Sequence, residues 1–514
     1  MASEYQTIGL ILAASPIQNV AFSAPDRPSL NFGRLAKFVE QTSGSLLKAG
    51  IGRTDKVAIV LPNGPEAATA FLCAANCATA APLNPAYKED EFAYYLEDLD
   101  ARILLCADAD GPSARAALKL GIPIAPISVD ATDPAGVFGL DLPEGNPLPL
   151  SIAKPDDVAL VLHTSGTTSR PKLVPLTHRN VTASGRNVAQ SLSLTERDIC
   201  LNVMPLFHIH GLIAAVLGSL SAGGSIYCTP GFNALKVYAW LDAAKPAWYT
   251  AVPTMHQAIV ARAARNQGSV SASRLRFVRS SSSSLPPQVM ADIEDTFNCP
   301  VVEAYGMTEA AHQMTCNPLG KGAQIPGSVG IPAGPEVGIL TETGVTTTPE
   351  CLGEIVISGE NVTHGYLAND KANAENFLTD DETGKKWFRT GDQGKFETNG
   401  YLFVTGRLKE IINRGGEKVS PREVDEVLMD HAAVEQAVTF AVGHAKLGED
   451  VAAAVVLKDG KTAEAKEIRT FVAEQLAPFK VPRQVLILDE IPKGPTGKLQ
   501  RIGLAEKLGL EGPQ

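Results

Sequence analysis

Asp157-Val158-Ala159-Leu160-Val161-Leu162-His163-Thr164-Ser165-Gly166-Thr167-Thr168-Ser169-Arg170-Pro171-Lys172 joins a run of apolar residues to a loop of hydroxyls and glycine. The first part, Asp157–Leu162, has the length and composition of a buried strand. The second part exposes many backbone N–H and hydroxyl donors, and Lys172 adds a positive charge. Those are the groups that hold a polyphosphate. No Gly-Lys-Ser/Thr opens a helix here, so the spacing is not that of a P-loop nucleotidase. On chemistry alone, a phosphate loop and a flexible polar surface loop both remain open readings.

Outward from this loop the same alternation continues. Lys56–Leu61 reads as a buried strand, the Ala-rich segment Glu66–Thr79 as a helix and Ala101–Cys106 as another short strand. Strands alternating with helices predict α/β layers. The pattern changes near residues 385–407. After Trp387–Gly391, short strand patterns around Lys395–Phe396 and Tyr401–Val404 meet at Asn399-Gly400, a strong hairpin turn signal. Beyond Lys409 the spacing predicts a helix over Pro421–His431, strands over Glu435–Val442 and Val451–Leu457, a helix over Ala463–Leu476 and a strand near Val485–Leu488. The expected organisation is a large multi-subdomain α/β N-terminal domain over residues 1–408 and a small α+β C-terminal domain over 409–514.

The 514 residues carry a formal net charge of −11 and are 45% hydrophobic. That is enough apolar material for large cores. Without a basic stripe, nucleic acid is excluded as a main partner, and anionic ligands must be caught by local groups. The eight cysteines are scattered. Cys73 and Cys77 lie close together in an Ala-rich apolar run, where core packing is expected over a metal or redox role. No secretory pattern opens the chain, no apolar stretch is long enough for a membrane span, and the ending Glu-Gly-Pro-Gln is not a Ser-Lys-Leu address. The expectation is a cytoplasmic protein, monomer or homodimer, with no membrane span.

The loop from Thr164 to Lys172 resembles the phosphate loop of the adenylate-forming superfamily, which includes acyl-CoA synthetases, peptide-synthetase adenylation domains and beetle luciferases. That family reads Ser-Gly-Thr-Thr-Gly-x-Pro-Lys-Gly; this chain has Ser169 and Leu173 where glycine is usual. Five further segments follow in the family's order. The resemblance implies that Thr164, Ser165, Gly166, Thr167, Thr168 and Lys172 hold phosphates, with Thr164 also on the metal side. Pro205-Leu206-Phe207-His208-Ile209-His210-Gly211 is similar to the segment that places His208 beside the acyl carboxylate, while His210 is read as a structural histidine. Glu303-Ala304-Tyr305-Gly306-Met307-Thr308-Glu309 resembles Tyr-Gly-x-Thr-Glu. It implies Mg²⁺ on Glu309, phosphate on Thr308, and adenine between the backbone of Glu303, Ala304 and Tyr305 and the loop starting at Ser281. A carboxylate beside a hydroxyl suits Mg²⁺, which takes few protein oxygens alongside phosphates.

Arg389-Thr390-Gly391-Asp392 resembles the ribose motif and implies Asp392 on the ribose diol, with Arg407 as second polar partner. Lys409 matches the family's hinge between two half-reactions. Gly415 and Gly416 would approach the pantetheine arm of coenzyme A. Pro492-Lys493-Gly494-Pro495-Thr496-Gly497-Lys498 is similar to the motif carrying the catalytic lysine, here Lys498. Arg279-Ser280-Ser281-Ser282-Ser283-Ser284-Leu285 occupies the place where many members carry small apolar residues. His312 follows Glu309 by three residues, which on a helical turn puts both on one face. Hydroxyl and imidazole donors suit a short acid with a second carboxylate, because an unpaired buried charge is costly.

Together these segments resemble the oxalyl-CoA synthetase subfamily, implying that Ser282 and His312, with His208 nearby, serve a small dicarboxylate. The implied fold is the acyl-adenylate-forming one, with a mobile C-terminal domain. The implied cofactors and co-substrates are ATP, Mg²⁺ and coenzyme A. A medium-chain fatty or aryl acid, a carrier-protein acceptor, and a non-catalytic nucleotide-binding scaffold are the alternatives. The presence of both Glu309 and Lys498 argues against the last.

Overall fold

The computed structural model describes residues 5–164, 171–320, 322–380, 383–492 and 499–510. The chain forms two compact units, one of residues 1–285, 289–336 and 357–378, the other of 286–288, 337–356 and 379–514.

In the first unit, apolar runs too continuous for a half-exposed sheet pair in parallel, as expected for strands buried on both faces. Ile124–Ser128, Ala101–Cys106, Lys56–Val60, Thr79–Pro82 and Val158–His163 lie side by side and parallel. Gly139–Leu140 and Leu173–Thr177 close the two edges antiparallel, giving seven strands. Leu173 has a plain role here. It opens the edge strand opposite His163 and packs against the cluster of Ala58, Leu104 and Val161. A glycine would lose that contact and weaken the strand.

The helix expected over Glu66–Thr79 runs Pro65–Cys77. It stops early because Ala78 turns extended and the Thr79 amide donates to Asp55 O at 2.9 Å, opening the next strand. Cys73 and Cys77 are buried in it, as expected for core packing. All eight cysteines are free thiols; seven are buried and only Cys351 is partly exposed. Burial pushes the Cys77 thiol up to about 11.

A second, nine-stranded sheet in this unit decides where ligands can go. Six of its strands are parallel, in the order Val301–Met307, Phe277–Ser280, Trp248–Ala251, Ile199–Asn202, Ser225–Cys228, Val20–Ser23. From Ile199–Asn202 the chain crosses to Ser225–Cys228 on one side, then returns to Trp248–Ala251 on the other. The order of travel therefore reverses between Ile199–Asn202 and Trp248–Ala251. In open α/β sheets, such a switch leaves a crevice beyond the carboxyl ends of the strands.

In the second unit, Lys386–Phe396 and Leu402–Arg407 pair antiparallel around the expected Asn399-Gly400 turn, Gly400 having φ +81°. Trp387–Gly391 belongs to the same long strand as Lys395 and Phe396. The following strands Ile412–Arg414, Glu417–Val419, Val434–His444, Gly448–Leu457 and Gln484–Ile487 form a five-stranded sheet. Its core also takes the buried faces of the helices Pro421–Asp430 and Ala465–Gln475. These elements lie within a few residues of their expected spans. Among the described residues no helix is long and apolar enough to cross a membrane.

The amino-terminal helix of the first unit is tied down by a buried histidine. His178 accepts the Ile8 amide on Nδ1 at 3.3 Å and donates Nε2–H to Ala75 O at 3.0 Å. Burial, and next the Arg53 charge, depress its pKa from 6.5 to about 4. The folded-state value is the lower one, so this group's contribution is complete above pH 6.5 and is lost as pH falls toward 4. The wild type should lose roughly 3 kcal/mol more than His178→Gln over that window, read from urea unfolding at a series of pH values.

Candidate active site

The carboxyl ends of the parallel strands bring three sequence-distant segments together. Ile199–Asn202 leads through residues 203–209 into the π-helical turn His210–Leu217, a form common at functional sites. Within that segment half-buried His208 accepts the His210 amide on Nδ1 at 3.2 Å. Phe277–Ser280 runs into the serine loop, and Val301–Met307 runs into Thr308 and Glu309. The Ser281 hydroxyl donates to Ala304 O at 2.8 Å, and Glu303 accepts the Leu285 amide at 3.0 Å. The two segments expected to flank adenine are thereby stitched to each other.

The expected helical turn from Glu309 to His312 is corrected by the structure. Thr308–Ala310 makes a single 3₁₀ turn, and then Ala311 and His312 adopt φ +45° and +97°. The chain reverses, and His312–Cys316 pairs antiparallel with Val301–Met307. Two features force the reversal. Asn361 Nδ2 donates to Ala310 O and Gln313 O, both at 2.8 Å, holding the two sides together. Gly306 admits the returning backbone, since a Cβ there would lie 1.7 Å from His312 O. His312 consequently joins a cluster with His210 rather than sharing a helical face with Glu309. The two imidazoles stack with centroids 4.9 Å apart and planes 20° apart.

His210, given no ligand role in the sequence reading, is the residue that meets Ser282. Its Nδ1 lies 2.9 Å from Ser282 Oγ, and its Nε2 lies 2.6 Å from Thr250 Oγ1. Beneath both rings lies Arg279, fully buried, with Nη2 3.1 Å from His312 Nε2. Ser282 has φ +75°. Together with Ala311 and His312, that places three non-glycine residues in the left-handed region, each costing on the order of 1–3 kcal/mol, a strain that persists only where surroundings over-determine it.

Glu309 is buried and approached from a segment the sequence reading overlooked. Tyr366 Oη donates to its Oε1 at 2.8 Å, and the Thr363 amide donates to its carbonyl at 2.7 Å. Lys172 Nζ sits 4.5 Å from the centroid of the Tyr366 ring. One tyrosine thus touches both the lysine ending the expected phosphate loop and the expected metal carboxylate. Burial, and next the Glu309 charge, push the phenol well above its ordinary range, so it stays a donor. The neck of the loop is closed by the Thr164 amide on Lys172 O at 2.9 Å and the Lys172 amide on Thr164 Oγ1 at 3.3 Å. Ser165, Gly166, Thr167, Thr168 and Lys498 lie outside the described residues. No group of three or more His, Cys, Asp or Glu suited to a metal occurs among the described residues. One buried carboxylate beside the Thr308 hydroxyl fits only a cation that takes most of its oxygens from water and phosphate, which is how Mg²⁺ binds.

In the second unit, Asp392 and Arg407 face each other across paired strands, with Arg407 Nε 2.8 Å from Asp392 Oδ1. Asp392 Oδ1 therefore already has one charged donor. Lys409 is exposed in the turn that leaves Leu402–Arg407. Gly415 and Gly416, at φ +62° and +98°, form the tip of the hairpin between Ile412–Arg414 and Glu417–Val419.

Comparison with known proteins accounts for both units. The model of the AMP-binding enzyme matches residues 12–367, and that of the AMP-binding enzyme C-terminal domain matches residues 423–498. The chain belongs to the AMP-binding enzyme family. The oxalate–CoA ligase of Arabidopsis thaliana is 43% identical to this family member, covering 97% of this chain and 98% of the relative. The oxalate–CoA ligase of Saccharomyces cerevisiae is 40% identical, covering 90% and 88%. ATP-bound MatB from Rhodopseudomonas palustris superimposes with a TM-score of 0.85 at 26% identity, covering 98% of each chain. The architecture is that of an adenylate-forming acyl-CoA synthetase, with a large N-terminal α/β domain and a small C-terminal domain.

Tyr366 and Arg279 both escaped the sequence reading. For Arg279 the signal is weak, because Arg276-Phe277-Val278-Arg279-Ser280 holds only two apolar residues and does not by itself mark a buried strand. Tyr366→Phe in this AMP-binding enzyme removes one hydrogen bond to an ionised group while keeping the ring under Lys172. It should cost about 1.5–3 kcal/mol in urea unfolding. Tyr366→Leu should cost more, since the ammonium also loses its ring.

Proposed function

We propose that this enzyme joins oxalate to coenzyme A through oxalyl-AMP, releasing AMP and pyrophosphate. The observation that carries the acid is the cluster of buried His210 and His312 with half-buried Ser282 at the strand-order switch. An alkyl chain or aryl ring seated there would offer no acceptor to the Ser282 hydroxyl, at a cost of about 1–3 kcal/mol. A second carboxylate supplies one. The names of the two oxalate–CoA ligases that match nearly this whole chain support the same acid.

In the first step an oxalate oxygen attacks the α-phosphorus of ATP, and the bond to pyrophosphate breaks. Thr164, Ser165, Gly166, Thr167, Thr168 and Lys172 hold the phosphates, with Thr308. Glu309, oriented by Tyr366, and Thr164 would hold Mg²⁺, which supplies charge neutralisation on the phosphate oxygens. Ser281, Glu303, Ala304 and Tyr305 flank adenine, Asp392 and Arg407 hold ribose, and His208 lies beside the reacting carboxylate. Lys498 balances negative charge as it gathers between the carboxylate and the α-phosphate. In the second step residues 409–514 turn about Lys409, a loop position able to absorb the dihedral change. Gly415 and Gly416 then pass the pantetheine arm, the CoA sulfur attacks the acyl carbon, and AMP leaves with the bonding electron pair. Enclosure of the site matters because an acyl adenylate hydrolyses in water.

A CoA-ligation panel of oxalate, malonate, acetate, octanoate and coumarate, followed by AMP release, tests this. Turnover should be highest with oxalate and absent without CoA. Strong ATP–pyrophosphate exchange with octanoate or coumarate and none with oxalate would overturn it. Lys498→Ala should abolish the exchange while the purified protein still binds ATP.

A further inference from the structure

Arg279 is fully buried in the strand Phe277–Ser280, between Trp248–Ala251 and Val301–Met307. Taking a guanidinium out of water costs several kcal/mol unless an anion or a full set of acceptors repays it. Here the repayment is incomplete. Its hydrogen-bond partners include no anion: Thr250 Oγ1 at 3.4 Å, Gln313 Oε1 at 3.3 Å, His210 Nε2 at 3.4 Å and His312 Nε2 at 3.1 Å. Its Nε has no hydrogen-bond partner, and no carboxylate lies within ion-pair distance among the described residues. A buried cation with no counter-charge of its own, beneath the His210 and His312 rings near the strand ends, points to an anion brought by the ligand.

The geometry also dictates where protons sit. A guanidinium only donates and does not lose its proton in proteins. Its approach to Nε2 of both rings therefore requires a lone pair on each Nε2. Thr250 accepts from Arg279 and so turns its own hydroxyl hydrogen to His210 Nε2. Both imidazoles then carry their proton on Nδ1. Two stacked rings 4.9 Å apart over a guanidinium cannot both be charged without strong repulsion. His210 donates Nδ1–H to Ser282 Oγ, 2.9 Å away, which leaves the Ser282 hydroxyl hydrogen to turn outward. The result is a relay running Arg279, Thr250, His210, Ser282, each bond polarising the next.

We infer that Arg279 is a positioning residue that locks His210 and His312 as Nδ1–H donors and, through them, makes the acid site select a two-carbon dianion over a monoanion of the same size. Arg279 does not touch the substrate; it sets the donors that do, and its uncompensated charge favours the second carboxylate. The selectivity half rests on the oxalate reading above, and the proton-position half does not.

Two measurements test it. On the wild-type enzyme labelled with ¹⁵N-histidine, two-bond nitrogen–proton correlations report the protonated nitrogen of each ring. His210 and His312, assigned with His210→Gln and His312→Gln, should both read Nδ1–H. Protonation at Nε2 of either would overturn the inference, whatever acid the enzyme uses. In turnover, oxalate is compared with glycolate, which lacks the second carboxylate. Arg279→Met should raise KM for oxalate about 10- to 100-fold, with KM for ATP unchanged and the oxalate preference lowered by a similar factor. Arg279→Lys should recover part of the preference. An Arg279→Met enzyme that folds and keeps its oxalate preference, or loses both acids equally, would assign Arg279 a packing role only. If Arg279→Met does not fold, the wild-type spectrum decides. Failure of the wild type to ligate oxalate would defeat the proposed acid and leave the proton positions readable.

Discussion

The hydrogen bond between Thr250 and His210, 2.6 Å long, spans the place where the order of the parallel strands reverses. The rest of the histidine cluster hangs on that reversal. One crossover leaves the strand Ile199–Asn202 to one side and the next returns to its other side, so no connection covers the strand ends between them. Polar residues placed there are shielded laterally by neighbouring strands and open only along the strand direction. That geometry lets His210, Thr250 and Arg279 be fully buried close to the strand ends.

Close backbone approach is the second constraint. Gly306 and the paired left-handed residues Ala311 and His312 make a reversal that ordinary helix or strand geometry would not. Asn361 holds it shut from outside. The strain is local, but it sets two things at once. It stops Thr308 and Glu309 after a single turn, and it carries an imidazole back into the sheet's crevice. The carboxylate is then steadied from a different direction by Tyr366, whose ring also carries the Lys172 ammonium. A shift in that tyrosine would be felt by both charged groups together.

Most of the layer architecture was legible in the sequence, because a continuous apolar run bounded by polar turns has few alternatives to a buried strand. Ala101–Cys106, broken only by exposed Arg102, is close to such a run and has the expected bounds. The C-terminal helices and strands were equally readable from their periodicity. Motif order revealed the family. What was not legible depends on contacts between distant segments. Nothing local in His312 tells that two left-handed residues cancel the helical turn, since alanine and histidine rarely adopt that region. Tyr366 lies 57 residues from Glu309 and in no motif that was read. His210 looked like a structural histidine because a buried imidazole usually is one; its difference lies in having Ser282 on one nitrogen and Thr250 on the other. The departure at Leu173 from the usual glycine is explained once that residue is seen to open an edge strand over a core.

The distribution of thiols has a practical consequence. Seven of the eight cysteines are sealed inside the chain, where neither oxidants nor alkylating reagents reach the sulfur, and Cys351 is the only one with partial access to water. The native protein thus comes with one natural attachment point for a fluorophore or spin label, on the second unit and outside the residues assigned to ligands. A probe placed there could report on the catalytic cycle without a cysteine-free background having to be engineered first.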